Sequence, residues 1–318
     1  MFSPEVIRTH EKIMYGLKDK LNIITEEIPK SSRVVRLDLP MHLNIGDQLI
    51  DWGTETFLES QNIHPSLRLS ALDYQRYRHK IRPSDILLLH GGGNVNDIYK
   101  WHENLRQDVL KRFPQNKIIL FPQSVFFFDS ERGKELMKSY QNHENFMMFV
   151  RDQESYDYIQ QLGGIRCELC PDMAHALWKS KKGVHPHYDG QQKLLFLRKD
   201  VEAAESQEKN GQSIDWVDIT HPLDRSISQH LFAAIERCPS FVMRNRIVDV
   251  WNFRKNRIIA KSIKTFSAYE TIETDRLHAM ILGCLLGKSV NYIDNNYGKL
   301  SRYESLWLRD TASKMKKQ

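Results

Sequence analysis

The stretch best suited to chemistry in this 318-residue chain reads Thr-Asp-Arg-Leu-His and runs into an apolar helical pattern over residues 279–287. Thr274 or Asp275 can cap that helix, because a short side-chain oxygen accepts from an unpaired backbone N–H. Arg276 and His278 then fall in or beside the first turn, where amides and the helix dipole favour an anion. These groups together could hold a carboxylate or phosphate and move a proton. A surface helix start with two incidental polar side chains is the alternative.

A second candidate is the turn Asn44-Ile45-Gly46-Asp47, which follows the first strand pattern and precedes a helical one. Gly46 permits a tight turn and the close approach of a ligand to the backbone. Asp47 could orient a hydroxyl or accept a proton. A helix N-cap is an equally good interpretation of Asp47.

Three glycines follow a short apolar strand in the segment His90-Gly91-Gly92-Gly93-Asn94. Backbone amides in such a segment can converge on an oxyanion, although a turn that needs positive φ would have the same composition. The spacing is neither the dinucleotide fingerprint nor a P-loop. It also lacks the serine of a hydrolase nucleophile elbow. The segment therefore indicates an anion site without naming a nucleotide.

Two basic residues lie just beyond predicted strands. Arg151 follows the strand 147–150 directly, where its planar guanidinium could bind a carboxylate or phosphate at two points. Pairing with the neighbouring Asp152 is the alternative. Lys299 ends the turn Tyr297-Gly298-Lys299, and a solvated surface lysine is the other interpretation there.

Strands and helices alternate through the first half of the chain, which predicts a doubly wound parallel sheet. Ligands of open α/β sheets bind at the carboxyl ends of the strands, where the polar clusters fall. The predicted strands are 33–39, 85–90, 117–121, 147–150 and 166–169. The predicted helices lie within 1–31 and at 48–60, 104–113, 130–141 and 153–162.

The pattern restarts after a polar linker over 179–192. We therefore predict two Rossmann-like domains, 1–180 and 193–300, with residues 301–318 as a closing helix and basic tail. A cleft between two domains is a usual place for a small-molecule site. The predicted strands of this half are 193–197, 215–219 and 288–293, and its helices are 227–238, 279–287 and 301–315.

Composition narrows the function classes. The formal charge is +6, from 46 Lys+Arg against 40 Asp+Glu, and the basic residues are dispersed. This balance suits an anionic substrate or an anionic membrane surface, and it disfavours a nucleic-acid binder. The N-terminus lacks a signal-peptide pattern and no apolar run is long enough to span a bilayer. A cytoplasmic protein, at most peripheral to a membrane, is expected.

The cysteines and acidic residues do not suggest a metal site. Cys167 and Cys170 form a C-x-x-C, but no second ligand pair lies at a suitable spacing. Buried structural thiols are favoured over a redox pair. No acidic pair follows a strand, so metal-independent chemistry is predicted.

Taken in order, these motifs resemble the polysaccharide pyruvyl transferases, especially the branch found in bacterial exopolysaccharide biosynthesis. The resemblance covers residues 33–308, and its most specific element is the Arg-Leu-His of 276–278. It also includes Phe121-Pro122-Gln123-Ser124, Pro171-Asp172-Met173-Ala174-His175 and residues 294–299. The aromatic run 126–128 departs from the family pattern.

The resemblance implies two domains arranged as in GT-B glycosyltransferases and transfer of a pyruvyl group from phosphoenolpyruvate to sugar hydroxyls, without a cofactor. Arg276 and His278 match the donor-binding and catalytic pair, and Arg151 matches a second donor-binding arginine. Leu277 and Lys299 would also contact the donor. The residues expected to line the cleft are Asn44, Gly46, His90, Gly92, Gly93, Asn94, Gln123 and Ser124.

On this basis His278 would be the general acid toward the methylene carbon, Arg276 would stabilise the phosphate, and Asp47 would be the base toward the acceptor. The expected partners are phosphoenolpyruvate and a free or lipid-linked oligosaccharide, with no nucleic acid. A lipid-linked acceptor at the inner membrane surface would suit the basic tail. A glycosyltransferase that uses a nucleotide-sugar and a non-catalytic subunit of a polysaccharide assembly machine remain alternatives.

Overall fold

The protein is a mixed α/β fold built on two parallel sheets. The computed structural model describes residues 2–97, 100–187, 192–199, 213–294, 298–309 and 311. A seven-stranded sheet has the order β2-β1-β3-β5-β6-β7 with β4 paired to β5, and a three-stranded sheet has the order β10-β9-β8. Every pairing within both sheets is parallel, as the alternation of strands and helices predicted.

The strands are β1 (Val34–Leu39), β2 (Leu67–Ser70), β3 (Ile86–Leu89), β4 (Gly92–Val95), β5 (Ile118–Val125), β6 (Phe146–Val150), β7 (Arg166–Leu169), β8 (Lys193–Phe196), β9 (Thr271–Thr274) and β10 (Ser289–Tyr292). The central strands β3, β5 and β6 are almost wholly buried. Continuous apolar sequence is expected of such strands because helices cover both faces of the sheet. The short strands β2 and β4 were not predicted.

The helices are α1 (Pro4–Lys20), α2 (Ile23–Glu26), α3 (Ile45–Ser60), α4 (Tyr74–Tyr77), α5 (Lys100–Arg112), α6 (Ser130–Gln141), α7 (Gln153–Leu162), α8 (Trp216–Ile219), α9 (Pro222–Arg237), α10 (Phe241–Ser267), α11 (Leu277–Leu285) and α12 (Lys299–Tyr303). Short 3₁₀ helices cover Arg78–Lys80 and Met173–Leu177, and a π-helical turn covers Glu304–Leu308. Among the described residues, no helix combines the length and the apolar character needed to cross a bilayer.

One apolar cluster joins the parts of the chain that carry the two sheets. Ile45 and Leu49 of α3 belong to the same buried cluster as Ile281 and Leu285 of α11. Burying these side chains against one another removes apolar surface from water and holds the carboxyl ends of both sheets in one region. The division at residues 180 and 193 and the GT-B-like arrangement stay predictions.

Several predicted elements are wrong. Residues 215–219, expected as a strand, form α8, because Asp215 and Asp218 make a reciprocal capping box that starts a helix. The 27-residue α10 was not predicted at all. The helix expected over 301–315 begins at Lys299 and passes into the π-helical turn, and residues 312–318 lie outside the described part.

Candidate active site

The carboxyl ends of both sheets meet at a cavity of about 370 Å³. This volume falls within the range of small-molecule sites. Nine of its lining residues were predicted from the sequence: Asn44, Asp47, Gly93, Asn94, Arg151, Arg276, Leu277, His278 and Lys299. The other lining residues are His42, His102, Arg198, Trp216, Asp275 and Leu300. The rule that ligands bind at the carboxyl ends of parallel strands, called here the strand-end rule, therefore identified most of the residues that line the cavity.

A cationic wall surrounds Gly93. A Cβ atom at Gly93 would lie 2.8 Å from Arg151 Nη2 and 2.9 Å from Lys299 Nζ, so both positive groups approach one point of the backbone. Arg151 is almost fully buried, and its Nη2 has no hydrogen-bond partner among the described residues. A buried guanidinium N–H without a partner costs free energy, which an anion in the cavity would relieve.

Arg151 is held in place by its other nitrogens. Its Nη1 donates to Asp172 Oδ2 over 2.5 Å, and its Nε donates to Ser124 Oγ over 3.0 Å. The alternative of an ion pair with the neighbouring Asp152 is wrong, because Asp152 caps α7 through the backbone N–H of Ser155. Arg151 is thus fixed from behind with Nη2 left toward the cavity.

His278 shares the carboxylate of Asp172. Its Nε2 lies 3.3 Å from Asp172 Oδ2 and 3.5 Å from Arg151 Nη1. Burial opposes ionisation of Asp172, but the charges of His278 and Arg151 outweigh it and lower the pKa of that carboxyl group below its usual value. Asp172 therefore stays ionised, and its contact with Nε2 fixes the orientation of the His278 ring. It also caps the 3₁₀ helix, because its Oδ1 accepts from Ala174 N.

Gly46 packs against the ring of His278, a contact that was not predicted from the sequence. It lies inside α3 and not in a turn. A Cβ there would be 2.6 Å from His278 Nδ1 and 3.0 Å from its Cγ. The glycine makes room for the imidazole ring. Asn44 is the N-cap of α3, since its Oδ1 accepts from Gly46 N over 3.0 Å, so the N-cap interpretation of Asp47 is wrong.

The cap expected at the Arg-Leu-His element is also different. Arg276 occupies the N-cap position of α11. Thr274 Oγ1 accepts from Arg276 N over 3.0 Å, while Asp275 Oδ1 accepts from Arg198 N over 2.9 Å. Neither residue caps the helix, and Asp275 instead ties the end of β8 to the cavity. Arg198 directly follows the predicted strand 193–197, but it was not among the residues predicted for the site.

The guanidinium of Arg276 has a fixed direction. Its Nη2 donates to Asp215 Oδ2 over 2.6 Å, and its Nε lies 2.6 Å from Asp215 Oδ1. Asp215 is fully buried. A two-point pair of this kind orients the guanidinium and partly offsets its charge. An anion in the cavity would therefore meet a guanidinium group whose orientation is already fixed.

Asp47 is surrounded by histidines. Its Oδ2 accepts from Asn44 Nδ2 over 2.9 Å and lies 3.6 Å from His42 Nε2. Burial opposes its ionisation, yet the charges of His42 and His278 lower the pKa of Asp47. A carboxylate with a lowered pKa is a weaker base, and this weighs against the predicted role toward the acceptor.

Five predicted residues lie behind the cavity wall: Gly46, His90, Gly92, Gln123 and Ser124. Gln123 Nε2 donates to the carbonyl of His90 and to Asn94 Oδ1, over 3.0 and 2.9 Å, which fixes the wall from the rear. Burial lowers the pKa of His90 to about 4, so its ring is neutral at pH 7. These residues position the wall and do not face a ligand directly.

The glycine segment adopts a strand where a turn was expected. Residues Gly92–Val95 form β4 and pair with β5, with Gly92 at φ 133°. The amide of Asn94 donates to Gln123 Oε1 over 3.2 Å and is not directed at an oxyanion. The amide of Asn94 is therefore not part of a nest, and what Gly93 provides is space for two cations.

His42 and His102 are the histidines that the sequence did not assign to the site. His42 follows β1 closely, so the strand-end rule could have found it. His102 lies on α5, and its only signal would have been its distant partner Asp38. The run 126–128 does not line the cavity.

A larger cavity, about 890 Å³, lies between α3 and α10. It contains none of the predicted residues, and several of its charges are paired. Lys255 Nζ donates to Asp51 Oδ2 over 2.6 Å, and Arg68 Nε donates to Glu55 Oε1 over 2.8 Å. We place the site in the smaller cavity, where a buried donor lacks a partner.

The described cysteines form no disulfide bond. The described thiols at 167, 170, 238 and 284 are buried and free, and burial raises the pKa of Cys167 to about 12. The prediction that both thiols of the C-x-x-C are buried is confirmed. Within the ranges described above, no group of three or more His, Cys, Asp or Glu side chains could hold a metal ion.

A cavity rich in cations at the ends of parallel strands is typical of α/β enzymes that act on small anionic substrates. The model of the polysaccharide pyruvyl transferase family matches residues 44–297, and the chain belongs to this family of transferases. The resemblance inferred from the ordered motifs is confirmed.

Relatives agree with this assignment. The chain is 32% identical over 303 residues to a putative pyruvyl transferase, EpsO, of Bacillus subtilis, covering 94% of this chain and 93% of the relative. It is 25% identical to pyruvyl transferase 1 of Schizosaccharomyces pombe, over 87% of this chain and 70% of that one. A crystal structure of a functionally uncharacterised Klebsiella pneumoniae protein has the same fold, with a TM-score of 0.62, 22% identity and coverage of 95% and 98%.

Proposed function

We propose that the protein transfers the pyruvyl group of phosphoenolpyruvate to two hydroxyls of one sugar, forming a ketal on an exopolysaccharide or its lipid-linked precursor. The observation that carries the proposal is the unpartnered Arg151 Nη2 beside Lys299, in the cavity that also holds His278. The same cavity therefore offers sites for an anion and a group that can carry a proton. No cofactor is required by this chemistry.

The donor has two anionic ends, and the cavity has cations on two walls. Arg151 and Lys299 on one wall suit the phosphate, whose oxygens can accept from both at once. Arg276 and the first amides of α11, beginning at Leu277, suit the carboxylate, because the start of a nine-residue helix carries unpaired N–H groups. The reverse assignment would use the same residues, so their need for the donor does not depend on it.

His278 is the proposed acid. It would protonate the methylene carbon of the donor, which leaves positive charge at the neighbouring carbon for a sugar hydroxyl to attack. The carboxylate of Asp172, 3.3 Å from Nε2, holds the ring in place for the transfer. Arg151 contacts the same carboxylate, so donor binding and proton transfer are coupled through one side chain.

A lipid-linked acceptor would bring the protein to a membrane surface, and α10 carries a face suited to that. Arg246, Val250, Phe253 and Arg257 are exposed and follow one another at intervals of three or four residues, so they share one side of the helix. Phe253 is 65% exposed, and the Arg257 guanidinium lies 5.9 Å from its ring centroid. Apolar side chains flanked by cations are typical of helices that lie on anionic bilayers.

The decisive experiment is phosphate release from phosphoenolpyruvate, with and without a panel of methyl pyranosides, free oligosaccharides and lipid-linked oligosaccharides. We expect release that depends on both substrates and a product whose mass has grown by a ketal-linked pyruvyl group. Thermal shift with phosphoenolpyruvate, UDP-sugars and GDP-sugars runs beside it, because a ligand of the native state raises Tm. A shift with a nucleotide-sugar alone would replace the proposal with a glycosyltransferase.

Variants then test the two named groups. His278→Ala should abolish phosphate release but keep the Tm shift by phosphoenolpyruvate. His64→Ala, at an exposed site, should change neither the release nor the Tm shift. Arg276→Lys should raise the donor KM, because lysine cannot make the two-point pair with Asp215 and also meet the donor. Wild-type turnover in His278→Ala would remove the acid role, and an unchanged KM would remove Arg276 from the donor site.

A further inference from the structure

The cavity of about 370 Å³ described above is called the donor cavity from here on. Another cavity, of about 480 Å³ and called the second cavity, adjoins it. His42 and His102 line both cavities, so these two rings form the partition between them. Their ring centroids are 6.2 Å apart in an edge-to-face arrangement. Trp101 and Lys100 also line the second cavity, and Trp101 is 57% exposed. A large aromatic surface open to solvent at the mouth of a site is available for a ligand to cover.

His102 is joined to a buried carboxylate. Its Nδ1 lies 2.8 and 3.0 Å from the two oxygens of Asp38, which is 1% exposed. The backbone of Asp38 has φ 63°, a conformation that residues other than glycine seldom adopt, and the pairing of β1 with β2 shifts register there. Such strain persists where surrounding structure imposes it, and it clusters at functional sites. The irregular end of β1 is what brings this carboxylate to α5.

The contact fixes which nitrogen can react. With Nδ1–H donating to Asp38, the neutral ring presents Nε2 as a proton acceptor. Nε2 makes no hydrogen bond to any residue in the described part of the chain. Burial lowers the pKa of His102, but the charge of Asp38 outweighs it and the net shift is upward. A histidine of this kind is a stronger base than Asp47, whose pKa is lowered.

We propose that the second cavity binds the acceptor sugar, with Trp101 against the apolar face of the ring and His102, oriented by Asp38, as the base for the attacking hydroxyl. This inference rests on the proposed function, because it assigns the acceptor half of the same reaction. The partition position is essential to it. A base between two cavities can reach a hydroxyl in one and face the reacting carbon in the other.

The proton and electron balance closes without a further reactant. His278 gives a proton to the methylene carbon, and the first sugar hydroxyl forms a C–O bond to the adjacent carbon as its proton passes to His102 Nε2. The bond from that carbon to the phosphate oxygen breaks, and phosphate leaves with the bonding pair. The second hydroxyl attacks the resulting cation, and its proton leaves with the phosphate. The proton on His102 returns to His278 through solvent, so the sum is donor plus diol giving ketal plus phosphate.

Three variants test the assignment in the full chain: His102→Gln, Asp38→Asn and Trp101→Ala. We expect His102→Gln to lower kcat by about 10²- to 10⁴-fold, the usual contribution of a general base. Asp38→Asn tolerates the positive φ, and it should move the acidic limb of kcat/KM for the acceptor to lower pH, because the charge that raises the pKa of His102 is gone. A purely structural role would not move that limb. Trp101→Ala should raise the acceptor KM at least tenfold with kcat little changed. Tyr15→Ala, at an exposed aromatic on α1, is its control.

Donor binding separates the possible failures. Each variant should keep the Tm shift by phosphoenolpyruvate, which also shows that it is folded. If the wild type releases phosphate and His102→Gln keeps kcat within threefold, the inference is overturned and the proposed function stands. If the wild type binds the acceptor, seen as a fluorescence change absent in Trp101→Ala, but releases no phosphate, the proposed function and the base role both fall. If the wild type is active but the acceptor causes no fluorescence change that depends on Trp101, the assignment of the second cavity to the acceptor is overturned.

Discussion

Gly46→Ala is the sharpest test of how the site is assembled, because it adds one methyl group against the proposed acid. That carbon would lie 2.6 Å from His278 Nδ1, whereas ordinary contact begins near 3.4 Å. The ring must therefore move by roughly 1 Å, a displacement that commonly costs about 100-fold in rate. Its 3.3 Å contact with Asp172 would be lost as it moves. We expect kcat to fall by about two orders of magnitude.

The same substitution should leave the fold and the donor site intact. The higher helix propensity of alanine, about 1 kcal/mol over glycine, opposes the cost of displacing the ring, so Tm should change little. Arg151 does not contact Gly46, and the Tm shift by phosphoenolpyruvate should persist. Gly16→Ala is a matched control, because Gly16 also lies in a helix and has nothing within 4 Å of an added Cβ. Turnover within threefold of wild type in Gly46→Ala would refute the placement of His278.

Three further predictions concern the donor, the buried carboxylate and the membrane face. Arg151→Lys should raise the donor KM by roughly 10- to 100-fold, since a hydrogen bond to a charged group contributes about 1.5–3 kcal/mol; steady-state kinetics beside Arg112→Lys, at a surface site, would measure this. Asp172→Asn should lower the free energy of unfolding at pH 7 by about 3–5 kcal/mol in chemical denaturation, because it breaks a buried pair. The folded-state pKa of Asp172 is lowered, so the stabilisation by its carboxylate is complete above about pH 4 and is lost as the pH falls. Below pH 4 the free energy of unfolding should therefore fall less in Asp172→Asn than in the wild type. Phe253→Glu should weaken sedimentation with phosphatidylserine vesicles, while Phe128→Glu, at an exposed aromatic outside α10, should not.

The sequence predicted the strand ends well because a parallel sheet brings them to one edge whatever the details of the loops. Arg151, Arg276, His278 and Lys299 all line one cavity on that basis. It failed where a partner is distant in the chain. Nothing near Asp38 indicates that its carboxylate meets a histidine on α5.

Local rules also competed with one another in ways the sequence could not settle. Residues 215–219 alternate like a strand, but the capping box of Asp215 and Asp218 gives a helix. Gly46 suggested a turn, yet it lies within α3 for reasons of space. In both cases the deciding contact involves a side chain whose position depends on the rest of the fold.

The proposed donor-binding arginines are each held by a buried carboxylate, and this arrangement suits a transferase whose product is itself an anion. Arg151 is paired with Asp172, and Arg276 is paired with Asp215. Guanidinium groups without a carboxylate partner would bind phosphate as firmly as they bind the donor. Equal binding of substrate and product does not lower the barrier between them. Partial neutralisation weakens the hold on free phosphate, while the fixed directions of the guanidinium groups keep selectivity for an anion that meets both walls at once. Replacing either carboxylate by its amide should therefore tighten inhibition by phosphate even as it slows turnover.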